Sequence, residues 1–472
     1  MQQYLTRKNI VIGAVVIAVV AGGFFLFSFG KTHKQDIALG GLSIFQKVSK
    51  LLPIEADTKA EIEAVNTLAT KLSQKDGITR VYMIMLQNNY ELRPGGGFLG
   101  QYAVLKVKDG AIVSSMVEDA NLLDQRITAV ITPPYPFKQI QLKKWKFRDS
   151  NFSPDFPTNA DKAQYFYRLA GGHEKFDGVI AVNANVFDHI LDITGPIDMP
   201  GYGTYTSADA SMRLEEHVEK PFLGEDVPAE LKQNRKAVMK KIAGVIIERI
   251  STLNNIPKLA EFAQAELRDR NIMIWFKDPS LQSIVAGVHW DGTVATDWNN
   301  DYLMLVDANL GALKSDYWVK RSLDYSVDFT AGPKPIATVS YTYDHTATHG
   351  DWRTSDYHSY ARILAPKGSK YVENSRVKTG GVLSSDSPEL NKTVFGYKVD
   401  AVMNRALATG IKYELPETIK ADGYQLLIQK QSGIGNIPVT VHIKTDKGEF
   451  TQTATLAKDL KLSFQDVEEE KK

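Results

Sequence analysis

The chain has 472 residues, 43% hydrophobic and 24% charged, with 56 Lys and Arg against 55 Asp and Glu. This is ordinary globular composition, long enough for two or three domains with their own cores. A formal net charge of +1 leaves no global field to recruit nucleic acid, and the absence of cysteine removes every thiol mechanism and any disulfide framework.

Residues 10–29, IVIGAVVIAVVAGGFFLFSF, form an uncharged apolar run. At about 1.5 Å per helical residue its length matches the hydrocarbon thickness of a bilayer. A cleavable signal peptide is the competing reading, because Ala21, Gly22 and Gly23 are small; the run continues through Phe24, Phe25, Leu26 and Phe29 with no polar cleavage region. Arg7 and Lys8 assign residues 1–9 to the cytoplasm, although Lys31 and Lys34 blunt that asymmetry. The expectation is a single-pass membrane protein whose later domains lie outside the cytoplasm.

Apolar residues at helical spacing in 36–52 and 57–74, notably Ile62, Val65, Leu68, Ala69 and Leu72, predict a helical stalk within 30–78. Asp57 is its expected N-cap, and Pro53 and Gly77 act as breakers. From Thr79 the runs VYMIMLQ, GQYAVLKV and AIVSSMV read as strands separated by the turns RPGGG and KDG. Helical patterns at 160–169, 184–193, 232–253 and 256–268 then alternate with the strands FDGVIAVN and NIMIWF. The prediction for 79–322 is an α/β (α+β) domain with a mixed sheet flanked by helices, closed by YLMLVDAN at 302–309. Beyond Tyr325 the helical signal disappears. Eight short alternating runs, from ATVSYTY to KLSFQD, predict an all-β, Ig-like sandwich over 325–465, followed by a charged tail at 466–472.

The most unusual local segment is QNNYELRPGGGFLG, directly after a strand. Strand-end loops are where α/β sheets put ligands, and Gly95, Gly96 and Gly97 allow a ligand or another backbone to approach closely. A plain turn, with Asn88 and Asn89 satisfying its hydrogen bonds, is the equal alternative. The spacing is neither a dinucleotide fingerprint nor a P-loop. A second polar cluster comprises Asp119, Asn121 and Asp124, then Arg148, Asp149, Asn151, Ser153, Asp155 and Asp161. It starts like a calcium loop, but Pro154 and Ala160 stand where glycine and glutamate belong, which rejects an EF-hand; a less formal Mg or Ca site stays open beside capping and turn roles. His345 and His349, in HTATH, lack the glutamate of a zinc-protease helix, and no nucleophile elbow occurs.

The motifs QNNYELRPGGGFLGQYAVLKVKDG, RDSNFSPDFPT, FDGVIAVNANVFDHILDITGPI, VDANLGALKSDYWVKRS, YELP and LLIQKQSG resemble a family of membrane-anchored bacterial envelope proteins, domain of unknown function 4012. The central domain is also similar in outline to the LytR-CpsA-Psr phosphotransferases, through AQYFYRLAGGHEKFDGVIAVNANVFDHILDITGPIDMP and QNRKAVMKKI. That second resemblance implies an apolar pocket for a polyprenyl chain, arginines on a pyrophosphate and an aspartate-bound Mg ion. Under it Arg93, Asp119 and Arg235 are the catalytic candidates and Asp119 and Asp149 the metal ligands. Asn88, Asn89, Glu91, Gly95, Gly96, Gly97, Arg148 and Lys220 are the ligand-binding candidates. The departures are substantial. Asn89 stands where those enzymes have a metal-binding aspartate and Glu91 where they have an arginine. Phe98, Leu99 and Gly100 stand in place of their Arg-Ser-Asp, and Glu118 replaces a further arginine. Three functions follow as expectations: recognition of a cell-wall or polyprenyl-linked glycan in envelope assembly, metal-dependent transfer of glycopolymers to peptidoglycan, and a structural or adhesive surface role.

Overall fold

A computed structural model describes residues 55–139, 142–218, 237–250, 256–372 and 381–463. The expected anchor at 10–29, the first stalk helix, Lys220, Arg235 and the charged tail lie outside the described residues. Among the described residues, no helix is long and apolar enough to cross a membrane.

The helix Ala56–Leu72 starts one residue before the expected cap: Glu55 is the N-cap and Asp57 sits inside the first turn. Nor is this helix a free stalk. Its apolar stripe of Ile62, Ala64, Leu68, Ala69 and Leu72 is buried, and Ala64, Leu68 and Leu72 join the core of the following domain. Buried Glu61 on the same face pairs with Arg268 and accepts from Gln264, so the second stalk helix is a wall of that domain.

That domain is built on β1 (Thr79–Asn88), β2 (Phe98–Lys108), β3 (Ala111–Asp119), β4 (Gly178–Asn183), a small hairpin of β5 (Ile197–Met199) and β6 (Gly203–Tyr205), and β7 (Ile272–Phe276). The main sheet runs β3-β2-β1-β4-β7; β1 and β4 are parallel and the other pairs antiparallel. The six-residue buried run in β1 is explained by cover on both faces. Tyr82, Ile84 and Leu86 enter one helix-lined core, while Met83 and Met85 enter the core beneath the helix Phe156–Leu169.

The remaining strands are β8 (Asp301–Asn309), β9 (Val319–Asp328), β10 (Ile336–His345), β11 (Tyr357–Pro366), β12 (Lys370–Val372), β13 (Leu383–Ser387), β14 (Lys392–Ala401), β15 (Arg405–Glu414), β16 (Gln425–Gln429), β17 (Ile437–Thr445), β18 (Gly448–Leu456) and β19 (Leu460–Ser463). They form two six-stranded sheets, β12-β15-β10-β9-β17-β18 and β13-β14-β11-β8-β16-β19, which share one apolar core. The molecule is thus α+β with a largely β C-terminal region. Each β sheet contains one parallel pair, β9 with β17 and β8 with β16, so neither has the all-antiparallel pairing of an immunoglobulin sheet. The strand expected to close the α/β domain, β8, instead pairs with β11 and β16 at the centre of the second β sheet.

Tyrosine hydroxyls in this core serve buried carboxylates. Asp301 is fully buried and accepts from Tyr424 Oη at 2.6 Å, Tyr325 Oη at 2.7 Å and the Tyr302 amide. Burial pushes its carboxyl from 3.8 up to about 6, against those donors. Below about pH 4 both folded and unfolded forms are protonated. Between pH 4 and 6 the folded state keeps a proton the unfolded chain has lost, so this group's contribution falls as pH rises. Asp301→Asn should therefore gain on the wild type by on the order of 2–3 kcal/mol between pH 4 and pH 7. Urea melts of both proteins at the two pH values measure this, and a pH-independent difference would contradict it.

Candidate functional site

The glycine loop leaves β1 at the sheet end where β3 also finishes, and it is closed by its own backbone. Asn88 Oδ1 accepts from the Tyr90 amide at 3.0 Å, Asn88 O from Glu91 N at 3.1 Å, and Glu91 O from Phe98 N at 2.8 Å. Each glycine is demanded by protein atoms. A Cβ on Gly95 would lie 2.4 Å from Asn159 Nδ2, one on Gly96 2.3 Å from Gln87 Oε1, and one on Gly97 2.3 Å from the Asn88 carbonyl carbon.

What approaches the loop is another backbone. The β16–β17 connection brings Gly433, at φ +83°, so close that a Cβ there would stand 1.9 Å from Gly96 O. Asn89 Nδ2 reaches Gly433 O at 3.5 Å, Gln431 Nε2 donates to Arg93 O at 3.1 Å, and Asn183 Nδ2 donates to Ser432 Oγ at 3.0 Å. Arg93 donates to Asn309 O at 2.6 Å and to Glu91 at 2.9 Å, with its guanidinium over the Phe98 ring. Leu92 is counted in the β-sheet core, and its amide donates to Asp316. The loop is the joint between the α/β domain and the β layers.

The other expected site residues continue the same network. Asp119 caps the helix Ala120–Arg126 by accepting from Asn121 N at 2.8 Å, and Asn121 Oδ1 accepts from Arg148 at 2.7 Å. Arg148 Nε lies 3.2 Å from Asp124 and 4.0 Å from Asp149, which is also 4.0 Å from Arg93 Nε. Burial raises the carboxyls of Asp124, to about 6, and Asp149, in each case against neighbouring arginine charge. The structure thus gathers Glu91, Arg93, Arg148 and Asp149 as partners of one another, with Asp119 capping the helix whose Asn121 meets Arg148. Divalent-metal binding by Asp119 and Asp149 does not fit this arrangement. Two guanidinium groups already face Asp149, Asp119 is spent on a helix cap, and among the described residues no three acidic or histidine side chains are grouped to hold an ion.

Beside the joint is a feature the sequence reading passed over. The loop after β8 and the β10–β11 connection are tied together by Lys314 N to Arg353 O at 2.7 Å, by a bridge between Leu313 and Thr354, and by Ser315 Oγ to Thr354 Oγ1 at 2.9 Å. They present Tyr317, 41% exposed, with partly exposed Trp318 and Trp352. Arg353 lies 5.5 Å from the Trp318 ring and 5.7 Å from the Trp352 ring, and Asp351 holds it through two contacts at 2.9 and 2.7 Å. Lys314 reaches Glu215 of the helix Ala210–Val218 at 3.5 Å. Tyr317 meets Tyr90 of the glycine loop edge-on, with ring centres 5.2 Å apart. Tyr90 is held from below by Asp188 at 2.8 Å and Ser211 at 2.5 Å. This is a rigid aromatic ledge with an ionic rim, assembled from both domains.

Residues 78–218 match the family described as protein of unknown function, DUF4012. The DUF4012 match takes in the glycine loop, Asp119, Asp149 and the Tyr90–Asp188–Ser211 support, and ends before the ledge loops. No curated protein matches the chain. Among solved structures, the X-ray structure of Lin1025 protein from Listeria innocua is similar at 13% identity over 45% of this chain and 79% of its own, with a TM-score of 0.23.

Proposed function

We propose that this chain is an extracytoplasmic envelope protein, tethered through residues 10–29, that recognises a cell-wall or lipid-linked glycan on the ledge formed by Tyr317, Trp318, Trp352 and Arg353. The observation that carries the reading is the grouping of aromatic rings with the Arg353–Asp351 ion pair beside the glycine loop. A sugar ring has an apolar C–H face and a polar hydroxyl edge. Aromatic rings take the first at little entropic cost, and Arg353, Asp351 and Lys314 offer donors and acceptors to the second. The phosphotransferase alternative asks Arg93 to grip a pyrophosphate, whereas Arg93 donates inside the joint.

Purified full-length protein should co-sediment with purified cell wall. Trp352→Ala and Tyr317→Ala should each weaken retention roughly tenfold or more, the usual scale for removing a central aromatic contact. Equal retention by the double variant would refute the ledge as the site. Asn89→Ala addresses the older expectation of binding at the glycine loop, and its effect should follow thermal stability instead of ligand concentration.

A further inference from the structure

From Gln125 to Arg148 the sequence carries six cations, Arg126, Lys138, Lys143, Lys144, Lys146 and Arg148, and no Asp or Glu, in a chain whose net charge is only +1. The segment's described residues are anchored from inside. Ile127, Phe137 and Phe147 are buried, Trp145 N donates to Ile131 O at 2.8 Å, and Lys146 Nζ donates to Asp124 O at 2.6 Å. With those anchors in place, Val130 is left 68% exposed and Tyr135 50%, its ring edge-on to Tyr360 with centres 6.2 Å apart. Arg126 is neutralised by Glu118 and Arg148 by Asp124, while Lys143 and Lys144 stand exposed. Lys162 lies over the Trp145 ring at 4.7 Å, adding a further cation beside a partly exposed tryptophan.

Exposed Val130 and Tyr135, with two exposed lysines brought alongside by the Trp145–Ile131 backbone bond and no acid in the segment, suit one kind of surface. The interfacial zone of an anionic bilayer accepts the apolar tips and attracts the cations, and an indole is at home at its headgroup level. We propose that this segment docks on anionic lipid through Val130 and Tyr135, with Lys143 and Lys144 supplying the electrostatic attraction. The contact uses none of the ledge residues and does not depend on the glycan reading. It orients the domain on a membrane.

The chain has no cysteine, so Val130→Cys in the full-length protein gives a single position for an environment-sensitive fluorophore. The protein is reconstituted in phosphatidylcholine vesicles with or without phosphatidylglycerol, both containing a quencher lipid. Quenching at position 130 should be several-fold greater with phosphatidylglycerol. It should fall at least fivefold in a Lys143→Glu/Lys144→Glu background, and a label at Val402→Cys, an exposed site in the β region, should stay unquenched. The proposal is overturned if position 130 is unquenched with phosphatidylglycerol or if position 402 is quenched equally. It is also overturned if a soluble acidic polysaccharide shifts the label while lipid does not.

Discussion

Gly433→Ala should lower stability by on the order of 4 kcal/mol, a Tm loss of roughly 10 °C, and loosen the two halves of the molecule from each other. Two costs add. The residue sits at φ +83°, where a Cβ costs about 1–2 kcal/mol, and the new methyl would stand 1.9 Å from a backbone oxygen of Gly96, which has no rotamer to give way. Relief requires the β16–β17 connection to retreat, breaking the contacts of Asn89, Gln431 and Ser432 with the opposite domain. Two controls separate the terms. Gly423→Ala, at φ +66° with nothing near, carries only the conformational cost, and Gly435→Ala, in open space, should be nearly silent. A Gly433→Ala protein as stable as Gly423→Ala would mean that the close approach does not exist.

Arg321→Met should cost about 3–5 kcal/mol, the range for breaking a buried ion pair from one side. Arg321 is buried between Asp307 at 2.9 Å and Asp316 at 2.5 Å; Tyr343 donates to Asp307 and Tyr357 to Asp316, each within 2.8 Å. Without the guanidinium, two buried carboxylates lose their counter-charge. The Asp307 carboxyl, which burial already raises, is then pushed up further, so the variant's deficit should be smaller near pH 4.5 than at pH 7.5. Adding Asp307→Asn and Asp316→Asn should recover part of the loss, because the charges left behind, more than the lost bonds, set the cost. Asp316 also accepts from the Leu92 amide, so the variant tests whether the β core reaches into the joint. Urea denaturation of the single and triple variants measures these effects, and a single variant within 1 kcal/mol of wild type would contradict the account.

Local pattern was a good guide wherever one face decides an element's fate. The helix Ile256–Arg268 and the eight alternating runs of the C-terminal region stand where their periodicity puts them. Where both faces are covered, pattern found the strand but not the sheet it joins. YLMLVDAN is buried at every position, and such a run reads the same in a parallel α/β sheet as in the middle of a β layer, so its membership depended on β11, some fifty residues on, and β16, more than a hundred residues on. The helix Ala56–Leu72 was legible as a helix, but the partners that bury it, Gln264 and Arg268, are some two hundred residues away.

The candidate site divides in the same way. Three consecutive glycines announce a close approach without saying what approaches, and the answer, the QSG of LLIQKQSG, is more than three hundred residues distant. The ledge escaped notice because Tyr317, Trp318 and Trp352 come from two irregular loops with no period to detect. The available signal was the concentration of aromatic, Arg and Asp residues in KSDYW and GDWR, turns where large rings have no core to fill.

Hydrogen–deuterium exchange with soluble fragments of purified cell-wall glycan distinguishes the two candidate sites in one experiment. Exchange should slow in residues 313–318 and 347–355 at saturating ligand, with 88–97 unchanged because that loop is already sealed within the joint. Protection confined to 88–97, or no protection anywhere, would contradict this.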